Sequence, residues 1–229
     1  MNIRKKILEQ SQNREVFQYE ITNDTDKDTW LDDVLMFRAE SLSELGVSEE
    51  ECMLFRSGRH KNDMPSVCKF GVMDESMMDT FSGMSETGDH VETQGAGKVI
   101  SSDNLTILGS CDNYVLIGFL TGQNHMFRTD ITVDEQGNFV KLDVYAEFRI
   151  RLEAGRCILT EELLIEHMSE PNKAIQEFAR NKAKRFGSRN TNNLAVFCTW
   201  YYYGLTVTYE DVKRNLNLIK EKKLPFDVF

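Results

Sequence analysis

The segment Gly95-Ala-Gly97-Lys98 is the first place to look for chemistry, because a glycine-rich turn ending in lysine can cradle phosphate with its backbone N–H groups. A phosphate loop also needs glycine five residues before the Gly-Lys pair, then Ser or Thr, then a helix. Here Glu92 and Val99 occupy those positions and strand-forming residues follow, so the motif fails. Metal chemistry fares no better. His60, His90, His125 and His167 form no paired motif, and Cys52, His60 and Cys68 have gaps that suit no common zinc knuckle. Glu162 and Glu166 lack the facing carboxylates of a di-metal bundle. No metal and no cofactor are expected.

Hydrolytic and nucleolytic arrangements need groups that only folding brings together. The chain has no Gly-x-Ser-x-Gly, and no cysteine sits in a nucleophile motif. Asp130, Glu147 and Arg149 fall on neighbouring strands as in metal nucleases. There a lysine normally follows the second acid, and arginine does not replace it. Glu147 and Arg149 are expected to face outward in a cross-strand salt lattice. An atypical enzyme site remains the second alternative, near residues 85–98, where His90 and Glu92 would meet His125 beside a sheet.

Binding chemistry has more support. Lys173, Arg180, Lys182, Lys184, Arg185 and Arg189 precede Trp200, Tyr201, Tyr202 and Tyr203. Clustered cations bind phosphate by counterion release, and aromatic faces stack bases. Lys182, Lys184, Arg185 and Arg189 are therefore the candidate phosphate or nucleic-acid contacts. Met77, Met78, Phe81 and Met84 form a second candidate surface, since thioethers adapt to irregular apolar partners.

Charge is distributed unevenly over the elements that must position these groups. The 229 residues carry 27 Lys and Arg against 37 Asp and Glu, a formal charge of −10. Residues 1–97 contribute −10, residues 98–169 contribute −5, and residues 170–229 contribute +5. Opposite polarity at the two ends suits separate partner surfaces or self-association. No stretch approaches the roughly 20 apolar residues of a membrane helix. The basic N-terminus runs into Glu9, Gln10 and Gln12 without an apolar core, so neither signal peptide nor membrane contact is expected. Five cysteines without a Cys-x-x-Cys suit reduced thiols in a bacterial or host cytosol.

Periodicity predicts an α+β fold. It would have N-terminal helices, a central antiparallel β-meander and a C-terminal three-helix module packed on one face. The division is a body over 1–169 and a helical module over 170–229, packed as one domain. Residues 2–13 read as a short polar helix with Ile3, Ile7 and Leu8 apolar. Phe17, Tyr19 and Ile21 alternate as a strand. Leu31, Val34, Leu35, Leu42 and Leu45 share a helical face capped at Asp28 or Thr29 and stopped by Gly46, and Ser48 caps another start. Residues 74–102, rich in Ser, Thr and Gly, read as a long mobile loop.

The meander runs through Leu105 and Ile107, residues 114–120, and Phe127 to Val133. Its clearest strand alternates Leu142, Val144, Ala146, Phe148 and Ile150 with polar residues, and Cys157 to Leu159 follows. Three helices follow that. The first has Ser169 before Pro171 and a stripe of Ile175, Phe178, Ala179, Lys182 and Phe186. The second, over Leu194–Tyr203, is apolar all round and so buried. The third is capped by Thr208 with Asp211 three residues on. With every catalytic motif failing, the expected function is non-catalytic macromolecular recognition. An adaptor, an inhibitor or an assembly or accessory factor, including those of viruses and mobile elements, would act in this way. A protein partner or self-association is expected, with nucleic acid the alternative partner.

Overall fold

The computed structural model describes residues 1–58, 65–70, 91–94, 97–188 and 194–228. Eight strands form one antiparallel sheet: β1 (Asn2–Gln10), β2 (Arg14–Thr22), β4 (Met53–Arg56), β5 (Ser66–Lys69), β8 (Leu105–Ser110), β9 (Asn113–Phe119), β12 (Cys157–Leu159) and β13 (Leu163–Met168). Their order is β1-β2-β13-β9-β8-β4-β5, with β12 also paired to β2. A second antiparallel sheet has the order β3-β11-β10-β7-β6. It is built from β3 (Thr29–Ala39), β11 (Phe139–Leu152), β10 (Met126–Val133), β7 (Gly97–Ser102) and β6 (Val91–Gln94). Three short helices complete the described residues: α1 (Pro171–Arg185), α2 (Trp200–Tyr203) and α3 (Tyr209–Glu221).

The fold is therefore mostly β, and the α+β architecture with N-terminal helices and a three-helix module is overturned. Residues 2–13 are not helical: β1 pairs with β2 in a hairpin. Ile3 and Ile7 lie four apart, a spacing that satisfies both the helical and the strand period, so it could not distinguish them. The predicted helix from Thr29 is also a strand. Its inward residues Leu31, Val34, Met36 and Ala39 are spaced three, two and three apart because two register shifts interrupt the β3–β11 ladder. Arg149, with φ 50°, sits within one of them. Each bulge changes which side chains face inward, and the result imitates a 3.6-residue repeat. Ser48 accepts a hydrogen bond from Glu50 in a turn and starts no helix; β4 follows.

Within the expected loop over 74–102, residues 91–94 and 97–102 are instead strands β6 and β7, with Gln94 opposite Gly97. The rest of that loop lies outside the described residues. The expected central meander is split: its strands are formed, but as two hairpins that belong to different sheets. β8 and β9 turn at Cys111 and Asp112, and β10 and β11 turn at Gly137, where φ is 81°. Two sheets rather than one mean that both the inner and outer faces carry apolar residues.

Between the sheets, Phe17, Ile21, Leu54, Leu108, Ile117, Phe119 and Leu163 meet Leu31, Val34, Met36, Ile131, Leu142, Val144 and Ala146. The Tyr19 hydroxyl donates to Met36 O at 3.1 Å, fixing β2 over β3. A second apolar cluster lies on the outer face of the eight-stranded sheet. There Ala174 and Phe178 of α1 cover Val16, Leu105, Ile107, Leu116, Leu120 and Leu164. Gly118 makes this approach close: a Cβ there would stand 2.8 Å from the Phe178 ring.

The chain divides into two compact units, Met1–Phe186 and Gly187–Phe229. In the second unit, the predicted buried helix over Leu194–Tyr203 is reduced to the single turn α2, and its residues are not buried. Val196 instead bridges to Val228, with Phe197 N–H donating to Val228 O at 2.9 Å. Three consecutive tyrosines lose side-chain freedom in a helix, and Gly204, at φ 55°, ends the turn. The cap of α3 forms as read: Thr208 Oγ1 accepts from Asp211 N–H, and the Asp211 carboxylate accepts from the Thr208 backbone. No described helix is long and apolar enough to cross a membrane.

Candidate functional site

Of the four cations read as phosphate contacts, two serve the fold. Lys182 projects from α1, where its ammonium donates to Phe119 O at 3.0 Å and to the Asn104 side chain. It lies 5.6 Å from the Phe127 ring centroid and 5.7 Å from that of Phe178. Burial lowers its pKa, against the opposing pull of Glu161. Arg185 pairs with Glu162 and, at 2.6 Å, with Glu9. Burial opposes its charge, but those two carboxylates prevail and its pKa is raised. The helix stripe thus docks cations as well as apolar groups onto the sheet. Lys184 is exposed, with Lys173 and Arg180 on the same helix, while Arg189 lies outside the described residues.

Met77, Met78, Phe81, Met84 and His90 also lie outside the described residues. Glu92 stands on β6 opposite Val99, and β7 follows Gly95-Ala96 directly, with no helix start there. His125 has both ring nitrogens committed. Nδ1 is 2.6 Å from Met126 O, and Nε2 accepts from the Glu161 backbone N–H at 2.7 Å. The ring is therefore the neutral Nδ1–H tautomer, packed 4.4 Å from the Phe148 centroid. Burial lowers its pKa, against Glu161 and Glu147. The Glu161 carboxylate, which nothing in the sequence singled out, is buried and accepts from Gln123 N–H at 2.7 Å and Asn124 N–H at 2.5 Å. Together Glu161 and His125 pin the β9–β10 connection.

Asp130 and Glu147 do come together, but around Arg128 rather than around a metal. Arg128 meets Asp33 at 3.0 Å, Asp130 at 2.8 Å and Glu147, with its guanidinium 4.7 Å from the Tyr145 ring centroid. Burial disfavours its charge, but Asp130 and Glu147 outweigh that and raise its pKa. Glu147, expected to face solvent, lies covered in this network, whereas Arg149 is exposed. Alternation along β10 places Arg128 and Asp130 on one face, a signal that could have identified the pair. Among the described residues, no three His, Cys, Asp or Glu are grouped to hold a metal ion.

The second unit carries the most conspicuous surface. Tyr201, Tyr202, Leu205 and Tyr209 are 91%, 86%, 91% and 72% exposed, and Trp200 is 46% exposed. Arg214 and Asn215 of α3 both donate to the Tyr203 hydroxyl, at 3.2 and 2.9 Å, and Arg214 pairs with Asp211 at 2.8 Å. These bonds, that from Asn215 first, lower the Tyr203 pKa. Tyrosine and tryptophan are the residue types that protein-binding hot spots favour. Leu205 and Tyr209 were not singled out from the sequence, because exposure of an apolar residue cannot be read from its type.

No protein-family model matches the chain, and no curated protein matches it. Among solved structures it is similar to the galactosidase domain of an alpha-galactosidase–sucrose kinase, with 10% identity and a TM-score of 0.53 over 99% of this chain and 31% of that one. The alpha-galactosidase from Lactobacillus brevis gives 10% identity and a TM-score of 0.47, over 92% of this chain and 27% of that one. The chain thus spans less than a third of either structure's length. At this identity the first of these likenesses is one of fold.

Proposed function

We propose that the protein is a non-catalytic recognition factor that docks another protein through the aromatic surface of its Gly187–Phe229 unit. The observation that carries this is the exposure of Tyr201, Tyr202, Leu205 and Tyr209 within nine residues, on a unit of its own. Monomeric proteins rarely leave contiguous aromatic surface in water without a use for it. Both ring nitrogens of His125 and the Arg128 cluster are occupied by structural bonds, so neither offers a free acid–base group. Five free cysteines support a reducing, cytosolic setting.

Cross-linking in native cells tests the reading, with nuclease treatment before recovery. The intact chain should retain discrete protein partners that a Tyr201→Ser, Tyr202→Ser, Leu205→Ser variant loses, while its far-ultraviolet circular dichroism is unchanged. Partners that survive the triple substitution, or that vanish with nuclease alone, would overturn it.

A further inference from the structure

We propose that the sandwich also pairs with a second copy of itself, through the side where β1 and β3 form the open edges of their two sheets. Strand β1 ends the eight-stranded sheet and β3 ends the five-stranded one. The two edges are not flush. β2 lies over β3, as the Tyr19–Met36 hydrogen bond shows, so β1 projects one strand beyond the layer opposite. The exposures agree. On one face of the hairpin, Ile3 and Ile7 stand across from Ile21 and Phe17. Ile21 and Phe17 are 0% exposed, yet Ile3 is 48% exposed and Ile7 is 52%. Between them Lys5 is laid back over its own hairpin, 3.7 Å from the Phe17 ring centroid and paired with Glu15 at 2.8 Å, which leaves the two isoleucines as the half-exposed part of this face.

A stepped edge of this kind is self-complementary. Rotating a second copy by half a turn about an axis parallel to the strands exchanges the upper and lower layers. The projecting β1 of each copy then fills the recess beside β3 of the other, and the two inner faces of β1 cover each other. One operation satisfies both open edges and closes the assembly as a dimer, as an isologous twofold contact requires.

Charge points the same way. Residues 1–10 carry Arg4, Lys5 and Lys6 against Glu9, while residues 24–33 carry five aspartates against Lys27. Lys5, Lys6, Asp24, Asp28 and Asp33 have ion-pair partners within the copy, whereas Arg4 on β1 and Asp32 on β3 are exposed. Lysine-bearing β1 would repel another β1 edge to edge but not an acidic β3.

Sedimentation equilibrium of the full chain between about 1 and about 100 µM is the test. The expected mass is twice the 26.5 kDa of one chain at the upper end. Ile3→Glu with Ile7→Glu should give the single-chain mass throughout, and the Tyr201→Ser, Tyr202→Ser, Leu205→Ser variant should still dimerise. Failure here is thereby separable from failure of the aromatic docking surface. Hydrogen exchange guards against misfolding of the charged variant: amides of β1 and β3 in the unaltered chain should slow as concentration rises, and those of the β5 edge should not. A wild-type monomer at about 100 µM, a dimer that survives both glutamates, or concentration-independent exchange at β1 and β3 would each overturn the proposal.

Discussion

Truncating Phe178 to alanine removes the one aromatic side chain that α1 buries against the eight-stranded sheet, at 4% exposure. The ring lies over Gly118 and among Leu105, Ile107, Leu116 and Leu120, all part of an already close-packed cluster. The hole cannot close easily, because its floor is a hydrogen-bonded sheet. A buried Phe→Ala change of this kind costs about 3–5 kcal/mol. For a unit of this size that corresponds to a fall in melting temperature of roughly 6–20 °C.

The glycine supplies an internal control. Gly118→Ala places a methyl group 2.8 Å from Phe178 Cε2 and 3.0 Å from Asn104 O, so in the native background it should destabilise by about 1–3 kcal/mol. With Phe178 already alanine, the ring that causes the closer clash is gone and most of that cost should disappear. The double-mutant cycle should therefore return a coupling of about 0.5–3 kcal/mol. Circular dichroism melts of the four proteins, with urea unfolding for the free energies, measure it. Additive effects, or a loss below about 1 kcal/mol for Phe178→Ala, would show that α1 does not anchor on β9 through this ring.

Stability should fall as pH drops below 6.5, the ordinary histidine value, because burial holds the His125 pKa lower in the folded state and the unfolded chain takes up that proton first. His125→Gln should flatten this part of the urea-midpoint profile between pH 5 and 7; an unchanged slope would exclude His125 as the source. Glu161→Ala removes the charged acceptor of the Gln123 and Asn124 N–H groups, at about 1.5–3 kcal/mol for each charge-assisted bond lost. Amide exchange over residues 121–125 should then quicken ahead of the rest of the sandwich. With a disulfide reagent, exposed Cys111, Cys157 and Cys198 should react in the native state. Cys52, whose thiol burial pushes up to about 11, should react only on unfolding.

Several elements are legible in the residues. β2, β10 and β11 announce themselves by alternation, β9 by a short apolar run, and α3 by the Thr208–Asp211 box, because these signals are local. The N-terminal strands are not. The four-residue spacing in β1 and the bulges of β3 carry a helical period into extended chain, and only cross-strand pairing distinguishes the two. At the candidate sites, type predicted chemistry but not destination. Lys182 and Arg185 have the charge for phosphate and spend it on Phe119 O, Glu162 and Glu9. The aromatic run from Trp200 had the composition of a core and was left in solvent.

What the sequence determined by itself is therefore the short-range part: the hairpin turns, the alternating strands, the cap of α3, the charge polarity and the failure of the catalytic motifs. Tertiary structure alone decided that the strands divide into two sheets, that β1 and β3 stand at the ends of those sheets, and which cations and aromatics remain exposed. Those outcomes depend on which surfaces meet over long separations in the chain. The free energy of burial depends on area and partner, and residue order does not specify either.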